Sequence, residues 1–322
     1  MKSMILKTAL FALLLTVEIC SMSIQQVFSQ NTVTPSSEQT TNYTAGGAGA
    51  EFAVFDGAYV WIANQFGNNV TKINSSTGSV AGNYEITGNP LGIAYDGRYI
   101  WVSRYASDDV VKMDVNNGAV LATVRVNRGP GFLLAKDGHI WVVNRIANTV
   151  QKIPVDAATV SATYKVGKKP AMMETDGTNI WVANSKSHSV TRINIASGET
   201  ATFASGGKGA FGVAFDGTGI WVSNFFSGNI VKFSASGNLI GNYKIGDGVA
   251  GMYYAQGYMW IVANGESLVY RVRLSDGSIL SSHTVSASPY GLLYDGRKFW
   301  VPSSGSGKIS VVTPMPADIQ TN

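Results

Sequence analysis

Three groups of side chains in this sequence have the types and spacing to do chemistry. The first is a set of cations and aromatics: Arg104, Tyr105, Arg128, Phe132, Arg145, Lys168, Lys169, Lys186, Lys208, Phe211, Phe225 and Phe226. Guanidinium and ammonium groups beside aromatic faces suit stacking on sugars and binding of acidic polymers or partners. The second is the histidines, His139, His188 and His283, which could share a proton or a metal only if the fold made two of them converge. The third is Asp108-Asp109; two adjacent carboxylates lack the further oxygen ligands calcium takes, and the pair reads as a solvated loop. There is no phosphate-binding loop, no His/Cys metal cluster and no nucleophile elbow. Gly129-Pro130-Gly131 and Gly206-Gly207 read as turns. No catalytic residue, metal site or cofactor is therefore assigned.

What positions these residues is a repeat. The strings FDGAYVWIAN (55–64), YDGRYIWVSR (95–104), KDGHIWVVN (136–144), TDGTNIWVAN (175–184), FDGTGIWVSN (215–224), AQGYMWIVAN (255–264) and YDGRKFWVPS (294–303) are seven copies of one unit. Every tryptophan belongs to it: Trp61, Trp101, Trp141, Trp181, Trp221, Trp260 and Trp300. A fixed period of about forty residues marks an array of like supersecondary units. Within each unit, apolar runs too short for helices alternate with turn residues, and Asp-Gly between two such runs signals a hairpin. Four antiparallel strands per unit, seven times, predict an all-β, seven-bladed β-propeller. Continuous apolar runs such as Ile100 to Val102 fit strands covered on both faces by neighbouring blades.

The seventh unit stops at Pro314 after three strands. Thr40 to Gly46 resembles the fourth strands of other units, so the N-terminal strand is predicted to complete the last blade and close the ring. Two units are irregular: the third has a turn one residue shorter, and the sixth has Gln256 for Asp and four steps from Trp260 to Asn264. The reading preferred for the sixth is a short turn plus a bulge, over a tryptophan on the opposite face.

In a propeller, the loops before the first strand and after the second share one face. The cations and aromatics named above fall there in blades two to five, forming a crescent; blades six, seven and one offer mainly Glu51, Phe66, Glu266 and Tyr290. His139 lies in a hairpin turn on the opposite face from His188, and His283 in a fourth strand, so no pair is expected to converge. The recurring Asn64, Asn144, Asn184, Asn224 and Asn264 read as strand caps. The recurring Lys72, Lys112, Lys152, Arg192, Lys232 and Arg271 read as aliphatic stems with the charge at the rim.

With 322 residues and 45% hydrophobic content the chain can bury a large core, while charged residues are only 14%. A net charge of +4 without a basic run gives no case for nucleic acid. Lys2, Lys7 and the apolar run from Ala9 to Val17 read as a secretory signal, too short to span a bilayer. The predicted organisation is a signal peptide at 1–29, a flexible lead-in at 30–39, the propeller at 40–313 and a tail at 314–322. Removal of the signal takes away Cys20, leaving no disulfide and no membrane span. The expectation is a secreted or extracytoplasmic monomer whose partner is a cell-envelope glycan, an acidic polymer or a protein.

Through Trp181-Val182-Ala183-Asn184 and its copies, residues 40 to 313 resemble the YVTN family of propeller repeats, and related NHL-like and streptogramin-lyase-like propellers. The resemblance implies a seven-bladed propeller, usually on an exported or surface protein of a prokaryote. Streptogramin lyases tend to carry Trp-Phe-Thr-Glu at this strand, and their catalysis is associated with a histidine, an acid and a magnesium ion in late blades; no such set is placed here. A binding scaffold is therefore expected, with a lyase or hydrolase using the channel mouth as the alternative.

Overall fold

A computed structural model of the chain describes residues 40–314 apart from residue 158; the predicted signal, lead-in and most of the tail lie outside the described residues. Seven four-stranded antiparallel sheets form the body. Blade 1 shows the pattern: Ala50–Phe55 innermost, then Tyr59–Asn64, Asn69–Asn74 and Val80–Glu85 outermost. Blade 7 takes Leu293–Tyr294, Phe299–Ser303 and Lys308–Val312 from the end of the chain and Thr40–Thr44 from the beginning. Thr40 pairs with Val312 and Thr44 with Lys308, so the ring closes as expected. Asn42 Oδ1 fastens the seam, accepting from Ser310 Oγ at 2.6 Å and Ser286 Oγ at 3.1 Å.

The seven tryptophans are at most 1% exposed, each removing on the order of 200 Å² from water. The Asp-Gly turn is more than a reversal of direction. Asp56 Oδ1 accepts the N–H groups of Ala58 and Tyr59, while Oδ2 accepts the Trp61 indole at 2.8 Å. The same clip joins Asp96 to Trp101, Asp176 to Trp181, Asp216 to Trp221 and Asp295 to Trp300, each at 2.7 Å. One carboxylate thus orders the turn and supplies the acceptor a buried indole needs.

Blades 3 and 6 depart together. Asp137-Gly138 and Gln256-Gly257 form two-residue turns with positive φ at both positions, and the indole nitrogens of Trp141 and Trp260 have no hydrogen-bond partner among the described residues. Such a turn suits the strand twist; in blade 3 it withdraws the Asp137 carboxylate from the indole, and in blade 6 Gln256 has no carboxylate to offer. In blade 6 the expected bulge after Trp260 is absent. Trp260 pairs with Tyr253 and Arg271 in the register of its counterparts, Ala263 takes the ladder position held elsewhere by Asn, and Asn264 falls one step beyond. The short turn alone absorbs the irregularity.

Three kinds of contact recur around the ring, within blades and between them. Tyr84, Tyr164, Phe203, Tyr243 and Tyr43 of the outer strands stack on the tryptophans of their own blades, 5.6–6.1 Å between centroids. The next blade meets some of these rings with glycine: a Cβ on Gly118 would lie 2.1 Å from Tyr84. The third-strand cations reach further than expected. Lys72, Lys112 and Arg192 lie over their own tryptophans and donate across the blade boundary to the carbonyls of Val115, Val155 and Ala235 at 2.7–2.8 Å. The strand-end Asn64, Asn144, Asn184 and Asn224 are fully buried, their amides donating to third-strand side chains or to loop carbonyls.

Candidate functional site

The innermost strands line an axial channel, and each strand contributes to both of its ends. At the upper mouth, the residue that follows the bridge from the first strand to the end of the second is Glu51, Leu91, Gly131, Ala171, Phe211 and Ala250 in blades 1 to 6 and, after the Pro289–Ser303 bridge of blade 7, Tyr290. Three carry large or charged groups, and all three line a cavity of about 290 Å³ together with Arg145, Lys169, Ser185, Gly209, Phe225 and Phe226. Glycines set this packing. A Cβ on Gly251 would lie 2.5 Å from the Tyr290 carbonyl, and one on Gly291 would lie 2.4 Å from the Glu51 carbonyl, so adjacent first strands abut here and bring Tyr290 and Glu51 together.

One wall of this cup is aromatic. Phe225 and Tyr290 stand 6.3 Å apart and nearly parallel, Phe211 is about 6 Å from both, and Phe226 meets Phe225 edge-on while remaining 72% exposed. Facing it are Arg145 and Lys169, and among the described residues neither side chain makes a hydrogen bond within the protein. Burial pushes the Glu51 carboxyl up, with the Arg145 charge opposing. Burial also pushes the Tyr290 phenol up, helped by Glu51. The cup can therefore place an anionic group on Arg145 and Lys169, a flat ring against the aromatics, and a donor on Glu51.

A repeating latch holds the loops that deliver these residues. Asn68, Asp108, Asn148 and His188 occupy equivalent positions with φ of 50–57°. Each accepts an N–H from the next blade: Asn89 at 3.0 Å, Gly129 at 2.8 Å, Lys169 at 2.7 Å and Gly209 at 2.9 Å. The last two, from Asn148 and His188, position Lys169 and Gly209 in the cup wall.

Of the residues singled out from sequence, Arg145, Lys169, Phe211, Phe225 and Phe226 come together in the cup. Arg104 is tied bidentately to Asp109 at 2.7 and 2.8 Å, which strengthens its hold on its proton. Tyr105 packs on the hydrophobic core of blades 1 and 2. Phe132 meets Phe52 edge-on and lines the channel below the cup. Arg128, Lys168, Lys186 and Lys208 are exposed outside the cup lining. The histidines diverge: His139 is in a lower hairpin, His188 holds Gly209, and His283 is buried against Trp260 where five other blades have Tyr or Phe. No cluster of three metal-ligating side chains occurs among the described residues.

The lower end holds a residue that sequence reading passed over. Below the cup the channel opens into a cavity of about 250 Å³ walled by all seven blades. Pairing with the tryptophans defines a ring of Val54, Ala94, Leu134, Glu174, Ala214, Tyr253 and Leu293. The single carboxylate in an otherwise uncharged ring is the signal that could have been seen in the aligned repeats. Glu174 lines this cavity, and burial raises its carboxyl to about 6, against the opposing effects of the Thr175 N–H and the Lys136 charge. Tyr253 is raised as well, by burial and then by Glu174.

No protein-family model matches the chain, and no curated protein matches it in sequence. Solved structures do match in fold. Virginiamycin B lyase from Staphylococcus aureus superposes with a TM-score of 0.75 at 17% identity, over 86% of this chain and 99% of that one. A streptogramin B lyase gives 0.73 at 16% over 85% and 97%. Kuenenia stuttgartiensis hydrazine synthase gives 0.72 at 17% over 89% and 99%. At these identities the likeness is one of architecture: the chain has the seven-bladed propeller of the streptogramin-lyase-like structures.

Proposed function

We propose that this chain is an exported YVTN-type binding propeller whose upper cup takes the acidic end group of a cell-envelope glycan, a sugar ring bearing a carboxylate. One observation carries the reading: Arg145 and Lys169, whose side chains make no hydrogen bond or salt bridge among the described residues, line one cavity with the Phe211, Phe225 and Tyr290 wall. The carboxylate sits on the cations, the apolar face of the sugar lies on the rings, and Glu51 accepts from a hydroxyl. The Trp-Val-Ala-Asn strands support the repeat type, and the N-terminal apolar run supports export. Glu51 and Tyr290, assigned from sequence to the opposite side of the rim, belong to this site. A lyase or hydrolase at the same mouth would need acid and base groups converging on one bond, and the scattering of the histidines favours binding over turnover.

Calorimetric titration of the protein with glucuronic or galacturonic acid tests this, with glucose and galactose as neutral controls. The acids should bind and the neutral sugars should not, with binding lost in Arg145→Ala/Lys169→Ala. Equal response to acid and neutral sugars, or full retention in the double variant, would overturn the proposal.

A further inference from the structure

We infer that the lower cavity is a second binding site, for a small organic cation with an apolar body seated with its ammonium against Glu174. Glu174 Oε1 accepts the Thr175 N–H at 2.7 Å; among the described residues no other protein donor reaches the carboxylate. Lys136, the charged residue beside it, holds Asp137 at 3.2 Å. The walls are apolar and soft, with Phe132, Leu134, Met172, Met173 and Met252 around the carboxylate. A partly buried carboxylate with no direct ion pair is unfavourable, and the charge that would satisfy it is a single positive one.

The chemistry of the lining narrows the class. An anion would be repelled by Glu174. A neutral apolar molecule would leave the carboxylate desolvated. A divalent metal would find one carboxylate where it needs several oxygen ligands. An alkylammonium satisfies both parts of the site, its charge on Glu174 and its chain along the methionines and Leu134, with the Tyr253 ring available to the cationic head. The volume, about 250 Å³, lies just below the range for drug-sized ligands and limits the body to a small one. Tyr253 is 36% exposed, so the cavity communicates with the lower face.

The test is titration with hexylammonium, 1-hexanol and hexanoate, which share a chain and differ in charge. At pH 8 the ammonium should bind at least about tenfold tighter than the alcohol, and hexanoate more weakly than either. Glu174→Gln should erase the preference for the amine while keeping the affinity for the alcohol, and Arg145→Ala/Lys169→Ala should change neither. In the wild type the preference should fade as pH falls through about 6 and Glu174 takes up a proton. Lys136 from blade 3 is the charged group bearing on it, and Tyr253 from blade 6 is the other titratable side chain in the cavity. Equal affinities for amine and alcohol in the wild type at pH 8 would overturn the inference, as would an unchanged preference in Glu174→Gln. The wild-type comparison stands whether or not the variant folds.

Discussion

The two ends of the channel are built from the same seven stretches of chain, three residues apart, and carry opposite chemistry. The upper ring and its loops gather two cations and a wall of aromatics; the lower ring places one carboxylate among apolar side chains. Both ends differ from the frame around them, where Asp, Trp, third-strand cation and outer aromatic return blade after blade. The difference teaches where freedom lies in a repeat. Positions that lock one blade to the next must recur, while those facing the channel make few such contacts and can vary singly. A unique residue at a channel position is therefore a stronger pointer to ligand chemistry than any feature shared by five blades.

The sharpest way to break that separation is to damage the frame and watch the site. Asp216 is buried, holding the Trp221 indole and Lys232, both at 2.7 Å. Burial alone would raise its carboxyl, but the bonds from Lys232, Trp221 and Thr218 outweigh it and hold it well below the usual range. A depressed pKa contributes stability that is present above the ordinary carboxylate range and is lost as pH falls through it. Asp216→Asn should lower unfolding free energy by about 3 kcal/mol at pH 7, read by urea denaturation, with the gap to wild type narrowing in acid. Acidic-sugar affinity of the folded variant should stay within about twofold. A large loss of affinity would mean that frame and site are one system.

The converse change falls on the cup. Reversing Arg145 and Lys169 to Glu should weaken acidic-sugar binding about 100-fold, equivalent to roughly 2.7 kcal/mol, and move the urea midpoint little because both side chains line an open cavity. A comparable loss of stability would show that the cations serve the fold instead.

The frame was legible in the sequence because it repeats. Seven tryptophans at a forty-residue period, Asp-Gly turns and an unfinished last unit were enough for the strand order, the closure by Thr40–Thr44 and the capping role of the strand-end asparagines. What escaped was three-dimensional. The aspartate's second oxygen reaching an indole five residues on cannot be read from a turn signal. Tyr290 and Glu51 sit far apart in sequence and meet only because the ring closes between them. The crescent was assembled by adding loops on one face, which could not reveal that Asp109 neutralises Arg104. Glu174 was visible in principle, but an alignment searched for regularities passes over the one position that breaks them.

A smaller effect separates positioning from contact at the upper end. His188 Nδ1 accepts from Gly209, whose loop forms part of the cup wall, and Asn does the same work at 68 and 148. His188→Ala should weaken acidic-sugar binding about fivefold by loosening that loop, and His188→Asn should restore it. Failure of Asn to rescue would mean that the imidazole itself touches the ligand.

The smallest expected effect tests the lower end without any ligand. Glu174 has its carboxyl raised to about 6 from an ordinary 4.5, so the folded protein binds a proton more tightly than the unfolded chain and loses stability as pH climbs between those values. Above that window the ionised carboxylate is a standing cost, softened because water enters the channel. Glu174→Gln removes the charge and keeps the shape. It should therefore raise the melting temperature by roughly 2 °C at pH 8, on the order of 1 kcal/mol, and the advantage should shrink toward zero near pH 4.5. Saturating hexylammonium should bring the wild type up to the variant at pH 8, since a bound cation supplies the same relief by mass action. A variant less stable than wild type at pH 8 would mean that Glu174 is already paired in the folded protein, and the contrast between the two ends would lose its lower half.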